Sequence, residues 1–182
     1  MDALGQTDLK ALIRDIPDFP KPGVTFKDIT PLLSDPAAWA ATVDRLAEWA
    51  GQITADGRRV DKVLGIEARG FIVAAPVAYR LGAGFVPVRK AGKLPWQVEK
   101  EEYVLEYGTD LLEIHRDAVA PGEVAVVIDD VMATGGTAAA TIRLVEKLGA
   151  KVAGLGFVIE LGFLEGRAQL AGHDLHSLIT FE

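Results

Sequence analysis

"VVIDDVMATGGTAAAT", residues 126–141, passes from apolar residues through two adjacent acids, Asp129 and Asp130, into Thr134-Gly135-Gly136-Thr137 and an alanine-rich helical pattern. If the apolar run is a buried strand, the two carboxylates lie where it ends and the backbone begins to turn. Carboxylates side by side repel each other, so the site favours a cation or a set of hydroxyl donors. The 2′ and 3′ hydroxyls of a ribose suit it as donors and Mg²⁺ as a cation. The two glycines allow tight turning and close backbone approach, and the first-turn N–H groups of the helix point at whatever lies there. A phosphate monoester fits that position, where the helix dipole adds about 0.3–1 kcal/mol for an anion. The hydroxyls of Thr134 and Thr137 can supplement the backbone donors. An isolated acid pair or glycine pair is more often an acidic helix cap. Strand, paired acids, T-G-G-T and helix in succession reverse that reading.

The same alternation extends outward in both directions. "KVLGI" (62–66), the turn "EARG", a helical segment ending near Leu81 and the strand "GFVPV" (84–88) form one β-loop-α-β unit. "EVAVVID", a helix from about Gly136 to Leu148 and "VAGLGFVIEL" form a second, with Gly149 suited to the helix's C-terminal turn. Strands apolar throughout and alternating with helices predict an α/β fold, a parallel sheet flanked by helices, with ligands beyond the strands' C-terminal ends. Upstream, Ser34 or Asp35 can cap a helix with Pro36 at its first position. There Trp39, Val43, Leu46, Ala50 and Ile53 recur at helical spacing as a core stripe. Between the units, Tyr103, Leu105 and Tyr107 alternate with polar residues and Gly108-Thr109-Asp110 offers a turn, which predicts a hairpin or flap. No internal repeat or linker divides the chain, so one domain over residues 1–182 is expected.

Composition narrows the functional classes. Of 182 residues 49% are apolar and 25% charged, with a mean hydropathy of +0.22, as in a compact folded protein. A formal charge of −7 argues against a surface for long phosphate backbones, so no nucleic-acid partner is expected, while a locally basic pocket for a small anion remains open. The chain has no cysteine, which excludes disulfides, thiolate chemistry and cysteine-based zinc sites. Residues 1–10 lack the apolar core of a secretory signal, and the apolar stretch "FIVAAPVAYRLGAGFVPV" is interrupted by Pro76, Arg80 and Pro87. A cytoplasmic protein with no membrane partner is expected. No G-x-x-x-x-G-K-[ST] occurs, and Gly82-x-Gly84 and Gly154-x-Gly156 lack the third glycine of a dinucleotide fingerprint. His115, His173 and His176 show no ligand spacing, and no protein-held metal is expected.

"VVIDDVMATGGT" resembles the phosphoribosyl pyrophosphate-binding loop of type I phosphoribosyltransferases. "IPDFPKPGVTFKDITPLL" (16–33), "ARGFIVAAPVA" with "VRKAGKLP" (68–95) and "LEYG" (105–108) are similar to the adenine phosphoribosyltransferases in particular, and the likeness covers nearly the whole chain in order. The resemblance implies a parallel sheet flanked by helices with a small N-terminal hood, about residues 1–35, a flexible flap and a homodimer. It implies that adenine and phosphoribosyl pyrophosphate give AMP and pyrophosphate, a purine-salvage reaction, with Mg²⁺ carried by the substrate.

Residue by residue, it places Asp129 and Asp130 on the ribose hydroxyls and Ala133, Thr134, Gly135, Gly136 and Thr137 on the 5′-phosphate. Ala68, Arg69 and Gly70 would meet the pyrophosphate together with the basic cluster of Arg89, Lys90 and Lys93. Arg89 would reach the neighbouring subunit's pyrophosphate. Thr25, Phe26 and Lys27 would hold adenine, with Leu161 on the opposite face; Lys27 stands where many members carry arginine. Glu106 and Tyr107 on the flap would exchange a proton with the purine and shield the site. Two rivals follow from the same likeness: a xanthine or other 6-oxopurine transferase, and a regulatory protein that senses phosphoribosyl pyrophosphate without catalysis. The "FPKPGVTFKDIT" segment favours adenine, and the presence of Glu106 disfavours a sensor.

Overall fold

The 17-residue helix α2 (Pro36–Gln52) starts where Asp35 accepts a hydrogen bond from the Ala38 amide at 2.8 Å and Pro36 occupies the first helical position. This is a computed structural model, and it describes residues 8–53, 58–105 and 108–182. A small antiparallel pair, β1 (Arg14–Ile16) and β2 (Phe26–Asp28), and the five-residue helix α1 (Thr30–Ser34) precede α2. Then follow β3 (Lys62–Ile66), α3 (Arg69–Leu81), β4 (Gly84–Lys90), β5 (Val98–Leu105), β6 (Gly108–His115), β7 (Val124–Met132), α4 (Gly136–Lys147), β8 (Lys151–Leu161) and β9 (Asp174–Phe181). Both β-α-β units expected from the sequence are present. Gly82 closes α3 in the left-handed conformation with φ +65.

The seven-stranded sheet has the order β5-β6-β4-β3-β7-β8-β9. Its five strands β4, β3, β7, β8 and β9 are mutually parallel, while β6 joins β4 antiparallel and pairs with β5 as a hairpin. The sheet is therefore mixed at one edge, not parallel throughout. The hairpin also turns earlier than the sequence suggests. Leu105 pairs with Gly108, and Thr109 and Asp110 are strand residues opposite Val104 and Tyr103. Asp110 is fixed there by Lys90 Nζ at 3.1 Å and the Tyr103 hydroxyl at 3.3 Å. Strand β9, whose "DLHSLITF" carries no clean alternation, escaped the sequence reading.

Successive residues of β7 are buried on opposite faces, as in a sheet covered on both sides. Ala125 and Val127 pack on the α4 side with Leu144, Val145, Leu155 and Phe157, whereas Val126 and Ile128 pack on the α2–α3 side with Leu46, Val73, Val77 and Val158. Gly154 and Gly156 of β8 let α2 lie close. A Cβ on Gly156 would come 2.8 Å from both Ile128 and Trp49, and one on Gly154 would come 2.2 Å from Ile53. The hairpin's outer strand is tied to α4 by Glu101, which pairs with Arg143 and, at 2.6 Å, with Lys147. No helix among the described residues is long and apolar enough to cross a membrane.

Leu46 is fully buried beneath Gly156. Leu46→Ala is expected to cost about 2–5 kcal/mol, since the lost transfer energy adds to a cavity the glycine face cannot fill. Urea unfolding measures it, and a loss below about 1 kcal/mol would contradict the packing described.

Candidate active site

The pairing of β3 with β7 stops at Gly65–Ile128. Beyond it, β3 turns through Glu67-Ala68 into α3, and β7 continues along β8 as far as Met132, opposite Glu160. Asp129 and Asp130 thus belong to the strand and do not follow its end; what ends there is only its partner on one side. The gap is a cavity of about 270 Å³, lined by the 66–69 turn, Lys90, Tyr103, Asp129, Asp130 and Thr137. It lies at the C-terminal ends of the parallel strands, the usual ligand position in open α/β sheets.

Gly70 brings α3 against the acids, for a Cβ there would lie 2.5 Å from Asp129 Oδ1. That same oxygen accepts a hydrogen bond from the Asp130 amide at 2.9 Å. Burial, then the neighbouring Asp130 charge, pushes the Asp129 carboxyl well above the usual carboxylate range. Burial also pushes Asp130 up, against the opposing pull of Arg69. Arg69 Nε lies 2.6 Å from Asp130 Oδ2, but its N–H is not aimed at that oxygen, which is buried without a hydrogen bond. Two desolvated acids, one with an unused acceptor, form a site poised for hydroxyl donors or a cation's water shell.

The residues 133–137 bend around a second, smaller cavity of about 80 Å³, lined also by Asp129, Val131, Met132 and Phe157. Gly135, at φ +83, is the residue before α4, and no side chain caps the helix. Its first-turn amides face a compartment of the size of one oxyanion group. The loop is pressed from behind by Gly166, where a Cβ would stand 2.3 Å from the Ala133 carbonyl oxygen. Gly166 was not singled out from the sequence, and "EGR" carries no ligand signature by itself.

The basic cluster is folded onto an acid. Glu67 receives the Arg89 guanidinium at 3.3 Å, the Lys93 ammonium and the Lys90 amide at 3.1 Å. Burial opposes ionisation of Glu67, but hydrogen bonds from Lys93, Arg89 and the Lys90 amide outweigh it and hold the pKa at about 2. Lys90 itself reaches Asp110. Sequence reading saw in "EARG" a turn and an arginine, and passed over Glu67 as an anchor for the cations. Tyr103, which the sequence marks only as part of the hairpin's alternation, is a buried strand residue that lines the cavity.

Of the residues assigned to a base, Phe26 is half-buried, with Phe19 edge-on at 5.3 Å and the Arg69 guanidinium 5.0 Å from its ring centre. Arg69 therefore bridges Phe26 and Asp130. Lys27 turns elsewhere, to Asp15 at 2.6 Å and over the Phe181 ring at 4.0 Å. Leu161 pairs with Phe181 across β8 and β9, so Phe181 connects these two. Thr25 is exposed. Glu106 and Tyr107 lie outside the described residues. Among the described residues, no three His, Asp or Glu side chains gather as a metal cage.

A family model described as "Phosphoribosyl transferase domain" matches residues 37–174. The chain is 56% identical over 174 residues to the adenine phosphoribosyltransferase of Anaeromyxobacter dehalogenans, covering 95% of this chain and 98% of the relative. Among solved structures, the adenine phosphoribosyltransferase of Thermoanaerobacter pseudethanolicus superposes with a TM-score of 0.88 at 53% identity, over 95% of this chain and 98% of that one. The Saccharomyces cerevisiae adenine phosphoribosyltransferase, solved with adenine and an imino-altritol 1,6-bisphosphate, gives a TM-score of 0.88 at 39% identity, over 93% and 96%.

Because the fold raises the pKa of Asp129 above its value of 3.8 in an open chain, its charged form detracts from stability above the folded pKa, and the deficit vanishes as pH falls below both values. Asp129→Asn should raise the melting temperature at pH 8 by about 2–4 °C, the shift that roughly 1 kcal/mol gives in a chain of this length. The difference should close toward pH 3.5. Calorimetry across that range checks it, and a lower melting temperature at pH 8 would contradict the burial cost.

Proposed function

The chain belongs to the adenine phosphoribosyltransferases, within the phosphoribosyltransferase family, and from that premise we propose how its own residues carry out the reaction adenine + phosphoribosyl pyrophosphate → AMP + pyrophosphate. It is a pentosyl transfer. Adenine N9 forms a bond to the anomeric carbon as the bond from that carbon to the pyrophosphate oxygen breaks, the electron pair leaving with pyrophosphate and the N9 proton passing to a base. The centre passes through oxocarbenium character, so positioning, charge balance and exclusion of water supply most of the acceleration.

The observation that carries the assignment is the junction of two compartments at Asp129. The smaller holds the 5′-phosphate on the amides and hydroxyls of 133–137. The larger holds the ribose, with Asp129 and Asp130 accepting from its hydroxyls, and the pyrophosphate beside Ala68, Arg69, Gly70 and Lys90. Two adjoining compartments that share Asp129, Val131 and Thr137 suit one phosphorylated sugar bearing a second anionic group. Arg89 and Lys93 serve the pyrophosphate by exchanging their ion pairs with Glu67 for the substrate's oxygens.

The unused acceptor on Asp130 fits a hydrated cation: Asp129 and Asp130 would meet the water shell of a Mg²⁺ carried in by the substrate. When bound, the ion offsets charge on the departing pyrophosphate. Adenine lies along Phe26, whose ring is already joined through Arg69 to the ribose acids. Stacking there contributes on the order of 1–3 kcal/mol. With the Lys27 side chain committed to Asp15 and Phe181, the base is read by backbone groups near Thr25 and Lys27, and Leu161 closes the opposite side. Glu106 takes the proton and Tyr107 screens water when the β5–β6 hairpin closes.

The yeast relative's complex with adenine and a bisphosphate imino sugar supports a site of this division. Ile72 and Tyr79, both exposed and seven residues apart on one face of α3, offer an apolar surface that supports a homodimer in which Arg89 approaches the neighbouring site.

Purified protein with phosphoribosyl pyrophosphate and Mg²⁺ should convert adenine to AMP and leave xanthine and guanine unused, followed by chromatography of the nucleotides. The Asp129→Asn/Asp130→Asn double variant should lose at least about 100-fold in kcat/KM while keeping its far-ultraviolet circular dichroism. Turnover of a 6-oxopurine in place of adenine would overturn the substrate, and an unimpaired double variant would overturn the role of the acids.

A further inference from the structure

Beyond the ligand-facing residues, we propose that the Glu160–Arg167 ion pair is a positioning device that braces the 133–137 loop from behind and sets the enzyme's affinity for the 5′-phosphate. The proposal rests on the phosphate assignment made above. Glu160 sits near the end of β8, only 5% exposed and directly opposite Met132, the last residue of β7. Arg167 grips it with two nearly parallel hydrogen bonds, Nε to Oε1 at 2.6 Å and Nη2 to Oε2 at 2.7 Å. Such a fork fixes direction as well as distance, which a single ammonium cannot do.

Arg167 belongs to the short 3-10 segment Gly166–Leu170, and what that segment touches gives the pair its purpose. Gly166 lies backbone to backbone against the loop, leaving no room for a Cβ beside the Ala133 carbonyl or Thr134. In the other direction, a Cβ on Gly135 would come 2.6 Å from the Gly166 carbonyl oxygen and 3.5 Å from Gln169 Cβ. The segment is pinned at its far end by Leu170, fully buried on the α4 side of the sheet. At the near end, the residue before it, Glu165, holds a left-handed φ of +53, and the fork on Glu160 is the attachment that returns the chain to the sheet. Neither Glu160 nor Arg167 lines either cavity of the site, so both act through the loop.

The hydrogen bonds from Arg167 hold Glu160 below the usual carboxylate range despite burial, so both partners are charged at neutral pH. Released, Gly166 would no longer press on Ala133, and the amides converging on the phosphate would spread.

The test uses ribose 5-phosphate, titrated calorimetrically, beside steady-state kinetics of the full chain. Arg167→Lys keeps the charge and loses the fork. It should weaken ribose 5-phosphate binding and raise the KM for phosphoribosyl pyrophosphate by about 10- to 100-fold, the scale of a misplacement near 1 Å, while the KM for adenine stays within about twofold. Gly166→Ala, which leaves the ion pair in place, should give the same selective loss. The buried acid left by Arg167→Met makes that variant prone to misfold; the neutral pair Glu160→Gln/Arg167→Met replaces it, and its melting temperature separates lost stability from lost affinity. Unchanged ribose 5-phosphate affinity in Arg167→Lys and Gly166→Ala, or equal losses for both substrates, would overturn the proposal. Wild-type turnover of adenine judges the reaction assigned above, and the base-free titration judges the brace, so the two can fail separately.

Discussion

Everything in the site follows from the place where β3 and β7 part. As long as two parallel strands remain paired, their backbone groups satisfy each other and nothing can enter between them. Past Ile128 that pairing ceases while β7 keeps its other partner, so the strand is closed on one side and open on the other. Two acids placed there are held rigidly, poorly solvated and close to each other. The uncapped start of α4 and the turn into α3 converge on the same opening, because parallel strands deliver every following helix at one end of the sheet.

The site is therefore electrostatically unfinished in two opposite senses. At Asp129 and Asp130 two carboxylates are crowded together and poorly solvated, and Asp130 Oδ2 takes no hydrogen bond despite the Arg69 guanidinium beside it. At the 66–69 turn of the same cavity, the charges of Arg89 and Lys93 are paired with an internal acid, Glu67. A tetra-anion carrying a hydroxylated ring suits both conditions, since it offers donors to one side and oxyanions to the other. The closeness of Phe26, Arg69 and Asp130 further joins an aromatic surface to the paired acids through one guanidinium.

How much of this could be read from the residues varied with the kind of interaction. Continuous apolar runs and helix caps placed β3, α3, β4, β7, α4 and β8 within a few residues, because those signals are local. Asp129, Asp130 and the T-G-G-T loop were legible for the same reason, sitting within nine residues of one another. What escaped depended on distant partners. Glu67 draws its meaning from Arg89 and Lys93 more than twenty residues away, and Gly166 from Ala133. The hairpin turn was misplaced because Gly108 is a strong turn residue, yet Lys90 and Tyr103 hold Asp110 in the strand. Strand β9 takes its shape from pairing with β8, not from its own pattern.

Helix α4 has contacts of consequence at both extremities. Its opening turn lines the smaller cavity, and two and three turns later Arg143 and Lys147 hold Glu101 of the hairpin. Twelve hydrogen-bonded residues make a stiff rod about 18 Å long. Like a lever on a fixed pivot, it cannot tilt at its cavity end without shifting strand β5, so the loop of 133–137 and the hairpin are mechanically geared through a single cylinder.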